Sequence, residues 1–330
     1  MTQDNKPIRF EDFAAVTQDS DGVLGKLLYY SLSSILVDRD ELEALCQSVG
    51  FPYQPGRRSA VADAFRSATG DLSERLVLRE PAGPQVLKIY CRDNQGPEGL
   101  IVRELVKETV HADTNEYKKL ANITLDRRTQ ALSWDNLAYD PQVDPDKYVG
   151  EVQRLFALYQ CCASRRQIET LLENYVESME AVKVARGRIY FVPRDHMARL
   201  QVFEDFIALL EEHNLHQRPG RVPMDANSMY VVDDAKQRDK MAAAFYRTVQ
   251  AEIAAYEERA DHLIQAGSQS AAVMDRCVLR IQALEEKKGH YEQILKRELS
   301  ELDNQFTSLR YLADELRLRA RGLRCQKKAA

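Results

Sequence analysis

The chain has 330 residues, 29% of them charged and 44% hydrophobic, and a net charge of −5. Its 14 Gly and 11 Pro are too few for a collagen-like or low-complexity chain, and its apolar fraction is too high for one that cannot bury a core. No uncharged apolar run approaches the roughly 18–20 residues that span a bilayer, and the first 13 residues carry Asp4, Glu11 and Asp12 where a leader would be basic and then apolar. The expectation is a cytoplasmic protein that makes no membrane contact.

In chain order, residues 22–36 (GVLGKLLYYSLSSIL) are predicted to form a buried helix. Asp38 is a good N-cap for a second helix from Asp40 to Val49, which Gly50 ends. Phe51 to Gly56 reads as a loop, and a third helix follows from about Arg57 to Ala68. Two β-rich runs, Arg75–Glu80 and Val86–Arg92, flank a turn at Pro81–Pro84. Three helices and then a hairpin is the element order of a winged helix, whose third helix enters the major groove. On that reading Arg57, Arg58 and Arg66 would contact phosphates.

More strand follows at Leu100–Val110, Tyr117–Leu125 and Gln130–Trp134, with a tight turn at Asp126–Thr129. That makes about five strands, more than a winged helix needs, and points to an α+β domain. From Asp146 the apolar period becomes helical, through Val152, Leu155, Tyr159, Ile168, Leu172, Tyr175, Met179 and Val182. Read as one element, this helix reaches Gly187.

Arg188–Val192 is then predicted as a strand, His196–His213 as a helix capped by Asp195, and Ser228–Val232 as a second strand. Together they suggest a small head between long helices. A helix from Ala235 to Gln265 and one from Ala271 to about Arg321 follow, with a turn at Gly267–Ser270. In the last helix Ile281, Leu284, Tyr291, Leu295, Leu302, Leu309, Leu312 and Leu316 fit one heptad frame, but the same frame also places Lys288, Glu298 and Gln305 at core positions.

The predicted fold is therefore α+β and mainly helical. An N-terminal α+β domain of winged-helix-like order is followed by a long antiparallel coiled-coil stalk with an inserted strand–helix–strand head. The expected limits are 1–19 for a poorly ordered or edge segment, 20–137 for the α+β domain and 138–146 for a linker. Residues 147–186 form the long helix, 187–234 the head, 235–322 a helical hairpin or coiled coil, and 323–330 a basic tail.

Charge is unevenly spread. Residues 310–330 hold seven basic and two acidic side chains, a charge of +5, which leaves −10 on the other 309 residues. Arg317, Arg319, Arg321 and Arg324 in this segment could track phosphates. So could Arg186, Arg188, Arg194 and Arg199, which surround an aromatic strand where Tyr190 could stack on a base.

Catalytic motifs are missing: there is no Walker A, G-x-G-x-x-G, H-E-x-x-H or G-x-S-x-G. Six cysteines occur without a C-x-x-C, and the adjacent Cys161 and Cys162 are expected on different sides of a helix, as reduced thiols. His213 and His216 sit at i, i+3 with no third ligand nearby in sequence. Glu116-Tyr117-Lys118 matches the E-x-K fragment of some metal-dependent nucleases, with Asp93 or Asp113 as a further acid. Against these, the reading favours no enzyme, no cofactor and no metal. It expects a scaffold, adaptor or assembly subunit that oligomerises, or joins a hetero-complex, through its C-terminal helices. A DNA- or RNA-binding protein is the second reading, and a nuclease the third.

Overall fold

In a computed structural model, residues 22–329 are described, apart from 81–82, 111–114, 136, 218–219 and 269. The expected N-terminal segment 1–19 and the Pro81-Ala82 half of the predicted turn lie outside the described residues.

The first described elements are strand β1 (Val23–Tyr30) and the short β2 (Leu36–Asp38). Helix α1 (Arg39–Val49) starts where the Asp38 carboxylate accepts from the backbone N–H groups of Asp40 and Glu41, and stops at Gly50, whose φ of 70° is cheap only for glycine. Helix α2 (Val61–Asp71) precedes five strands: β3 (Ser73–Glu80), β4 (Gly83–Asn94), β5 (Leu100–Val110), β6 (Glu116–Asp126) and β7 (Leu132–Asp135). The β6–β7 turn is held by Asp126, whose carboxylate accepts from the N–H groups of Arg128 and Thr129.

Helix α3 (Pro145–Cys161) has Pro at its first position and Asp144 as its cap. It is followed by β8 (Cys162–Ser164), α4 (Arg165–Ser178), β9 (Val182–Ala185), β10 (Ile189–Pro193), α5 (Met197–Glu212) and β11 (Ala226–Val232). Three long helices follow: α6 (Ala235–Gln265), α7 (Ala271–Leu295) and α8 (Asp303–Ala329).

These elements form two compact units interleaved along the sequence. One takes residues 32–171 and 209–223; the other takes the described residues up to Ser31, then 172–208 and 224 onward.

In the 32–171 unit, β3 to β7 pair in sequence order as a curled antiparallel sheet. A register shift at Leu105/Val106 bends β5 against β6. Phe65 and Ala68 of α2 and Val152 and Leu155 of α3 are buried with Leu87, Ile89, Leu105 and Ile123 of the sheet. One polar network is buried with them. The side chain of Asp140 is 1% exposed and lies 2.6 Å from Lys107 Nζ and 2.9 Å from Lys118 Nζ. Lys107 also donates to Gln142, which in turn donates to Gln85.

In the other unit, four antiparallel strands run in the order β11-β1-β10-β9. β1, the first described strand, is thus interior to the sheet, between two strands that come more than 150 residues later. Leu24, Phe191 and Val231 join Phe245, Ile253, Ile281, Tyr291, Leu309 and Leu316 in one core, so the sheet and all three long helices share it. Helix α8 runs back along α7: Asp275 pairs with Arg324, Glu285 with Arg310 and Lys288 with Asp303.

The predicted stalk architecture is therefore corrected. The described residues are 53% helix and 26% strand, and the strands complete two substantial sheets. The 22–36 run holds strand β1 and an irregular stretch that leads into β2 but no helix, so the winged-helix order loses its first helix; α2 packs on the sheet through Ala64, Phe65 and Ala68. The predicted 147–186 helix is cut by β8 and ends at Ser178. The strand–helix–strand segment is no inserted head, because β10 and β11 flank β1.

The predicted 271–321 helix breaks at Lys296, which takes a φ of 53°, and re-forms after a 3₁₀ turn at Ser300–Leu302. Ile281, Leu284, Tyr291 and Leu295 thus lie on α7, Leu302 in the turn, and Leu309, Leu312 and Leu316 on α8, all buried or half-buried in the chain's own core. The heptad-spaced residues mark an intrachain three-helix packing, not a coiled-coil seam.

Candidate functional site

Most of the predicted phosphate-binding arginines are committed within the chain. Arg66 pairs with Asp63 at 3.2 Å, Arg317 with Asp314 at 2.7 Å, and Arg319 with Glu315 at 2.7 Å. Arg324 meets Asp275. Arg199 donates to the Ser178 carbonyl and hydroxyl and lies over the Tyr175 ring. Arg194 pairs with Asp195 at 3.8 Å, and Arg188 lies 5.7 Å from the Tyr30 ring centroid. Tyr190 is half-buried and stacks on Tyr30. Arg57 and Arg58 are exposed in the loop before α2, Arg186 in the turn after β9 and Arg321 on α8. Exposed pairs such as these hold each other weakly.

The E-x-K fragment also fails to assemble. Glu116 is exposed at the start of β6, Lys118 is spent on Asp140, and Asp93 pairs with Arg103. Asp113 lies outside the described residues. His213 and His216 turn to separate acids, Glu41 and Asp71, each at 2.6 Å.

Two features stand out that the sequence reading did not single out. The first is the outer edge of β11, with which no described strand pairs. Its sequence Ala-Asn-Ser-Met-Tyr-Val-Val has neither charge nor proline, the usual devices that blunt an edge. Met229 and Val232 are 55% and 45% exposed, and Tyr230 is exposed under the Lys26 ammonium.

The second is a carboxylate–histidine cluster. The end of α4 places Glu180, a 3₁₀ turn before α5 places Asp195 and His196, and α7 places His290. His290 faces acids with both ring nitrogens: Nδ1 meets Glu180 Oε2, and Nε2 lies 2.7 Å from Asp195 Oδ2. The His196 ring stands edge-on, 6.1 Å from that of His290. Burial lowers the His196 pKa below its ordinary value. For His290 burial acts the same way, but the hydrogen bonds and charges of Glu180 and Asp195 outweigh it and raise the pKa. Glu180 has a φ of 54°, unusual for a residue with a Cβ. Its carbonyl accepts from the hydroxyl of the fully buried Tyr291. A histidine following an aspartate at a helix start was the only trace of this cluster in the sequence; the other members lie up to 110 residues apart.

Among the described residues, two groups have metal-ligating atoms close together: Glu180, His196 and His290, and Asp38, Cys161 and Cys162. In the second group Asp38 already caps α1, and burial pushes the Cys162 thiol up to about 12, which leaves it protonated. The expected separation of Cys161 from Cys162 is corrected: α3 ends between them and their sulfurs lie 3.6 Å apart.

Cys161 and Cys325 are exposed, and the other four thiols are buried. Burial raises the Cys46 thiol to about 11 and the Cys91 thiol to about 12. A thiol reagent added to the native, reduced protein should therefore titrate two groups quickly and the other four only on unfolding. Six fast groups would contradict this burial pattern.

The fold is thus that of an antiparallel α+β protein built from two interleaved units, and no helix of its described residues is long and apolar enough to cross a membrane. The chain belongs to a family of unknown function (DUF6744), which it matches over residues 23–322. No curated protein and no solved structure matches it.

Proposed function

We propose that the chain is a non-enzymatic assembly subunit that acts through protein–protein contacts, with the outer edge of β11 as its contact and a second copy of the chain as its partner. The carrying observation is the uncharged, proline-free edge with Met229, Tyr230 and Val232 exposed. An edge strand presents a row of backbone donors and acceptors that a second strand satisfies. Two copies of β11 meeting antiparallel about a two-fold axis bring no like charges face to face. Asp233, just beyond the strand, is already neutralised by Arg238 and by Lys296 at 2.7 Å.

Sedimentation of the full chain across a concentration series tests this. A monomer–dimer equilibrium is expected. Met229→Lys with Val232→Lys sets charges opposite charges across the two-fold pairing and should weaken it about 100-fold, since like-charge contacts cost several kcal/mol. A wild-type monomer at every concentration, or a dimer indifferent to these substitutions, would sink the proposal. Added nucleic acid that binds in a steeply salt-dependent way would instead favour the exposed arginines as the working surface.

A further inference from the structure

We infer that Glu180, His196 and His290 form a site for one divalent transition cation of the zinc class, with Asp195 as the carboxylate that orients His290. This inference stands apart from the β11 edge. One ligand atom from each of the three residues lies within 4.8 Å of the others. Atoms bound to one zinc at about 2.1 Å stand roughly 3–4 Å apart; Glu180 and His290, now in direct hydrogen-bond contact, would part slightly to admit the ion.

The chemistry around His290 argues for a cation in particular. A neutral imidazole has one N–H and one lone pair, so it can satisfy only one carboxylate as a donor. Here both nitrogens face carboxylates, and the second contact needs a positive centre at Nδ1: a proton, or a metal ion shared with Glu180. With a metal on the Nδ1 side, the Nε2–H still donates to Asp195 at 2.7 Å. That is the second-shell pattern of a ligating histidine, in which a carboxylate fixes the tautomer and raises the basicity of the ring.

The backbone supplies a separate observation. Glu180 occupies a left-handed position just past a helix end, where glycine is the usual residue. Its carbonyl is tied to Tyr291, so the side chain leaves a fixed point. A Cβ-bearing residue in a strained conformation beside two histidines marks a position where the side chain matters. Two imidazoles and a carboxylate suit zinc and its neighbours better than calcium or magnesium. The three side chains are half-buried, so solvent reaches the cluster.

The test uses the full chain after chelator treatment, with Co²⁺ and Zn²⁺ as probes. Wild type should take up one Co²⁺ per chain with a visible d–d band, lose the band to Zn²⁺, and show a higher Tm with Zn²⁺ present. His196→Gln and His290→Gln should each abolish the band and the shift, and Asp195→Asn should weaken binding about 10–100-fold. Glu180→Gly relieves the backbone while removing a ligand. It should fold at least as well as wild type and bind weakly, so it decides the question even if a histidine variant misfolds. No band and no Tm shift in wild type would overturn the inference. So would unchanged affinity and stoichiometry in Glu180→Gly.

Discussion

Replacing Asp140 by alanine should cost about 3–5 kcal/mol of stability, the usual loss when one partner of a buried ion pair is removed. The side chains of Asp140 and Lys107 are 1% and 10% exposed, so neither charge has much water to fall back on. Without the carboxylate, the Lys107 ammonium keeps the Gln142 amide oxygen at 3.2 Å, and Lys118 keeps the Tyr139 carbonyl. Urea unfolding of the wild type and variant measures the loss, and a difference below about 1 kcal/mol would refute the account. Removing both charges together, as in Lys107→Met with Asp140→Leu, should restore most of it, because a well-packed apolar pair often matches a buried ion pair.

The same carboxylate carries a pH signature. Burial alone would raise its pKa, but hydrogen bonds from Lys107 and Lys118 and from the Gln142 backbone bring it down to about 2 from an ordinary 3.8. A depressed folded-state pKa gives stability that is fully present above the unfolded value and lost as pH falls through the folded one. Wild type should therefore lose stability between about pH 4 and pH 2 more steeply than the Asp140→Ala protein.

Gly25→Ala should be at least as damaging. Gly25 is buried in β1, and a methyl group on it would overlap the backbone carbonyl oxygen of Val192 while standing 3.0 Å from the Phe191 ring. Phe191 is fully buried and Val192 is paired in β10, so neither can yield cheaply. The strands must part or the core must repack. Overpacking costs typically about 1–3 kcal/mol, and here the obstacle is backbone, so the loss should exceed about 3 kcal/mol. Gly22→Ala is the control, since nothing lies within 4 Å of a methyl group there. Thermal unfolding should separate the two variants clearly, and equal stabilities would refute the packing argument.

Local signals made some of the fold legible. Asp38 and Gly50 bracket α1 as caps, and alternating β-rich runs with an Asp126 turn marked the antiparallel strands. β1 was missed because a short run that is apolar on both faces carries no period, and an interior strand looks the same as a buried helix. The break at Lys296 did leave a trace: Glu298, a misfit in the heptad frame, falls in the turn between α7 and α8. An apolar seam that serves a folded-back helix pair keeps the spacing of a longer helix. The His290 cluster was beyond reach, because four side chains from three elements meet only after the core around Tyr291 has formed.

The interior place of β1 also sets a timetable for synthesis. The strand Val-Leu-Gly-Lys-Leu-Leu-Tyr-Tyr is made before every other described strand, yet its partners β10 and β11 end at Pro193 and Val232. At roughly 5–20 residues per second, about 200 further residues take on the order of 10–40 s. Until β10 is complete, about 160 residues after β1, that strand has both edges open, and one edge stays open until β11 follows, while the β3–β7 sheet can pair hairpin by hairpin as it emerges. Pairing of β1 thus waits on segments made much later, whereas each of β3 to β7 pairs with a strand next to it in sequence.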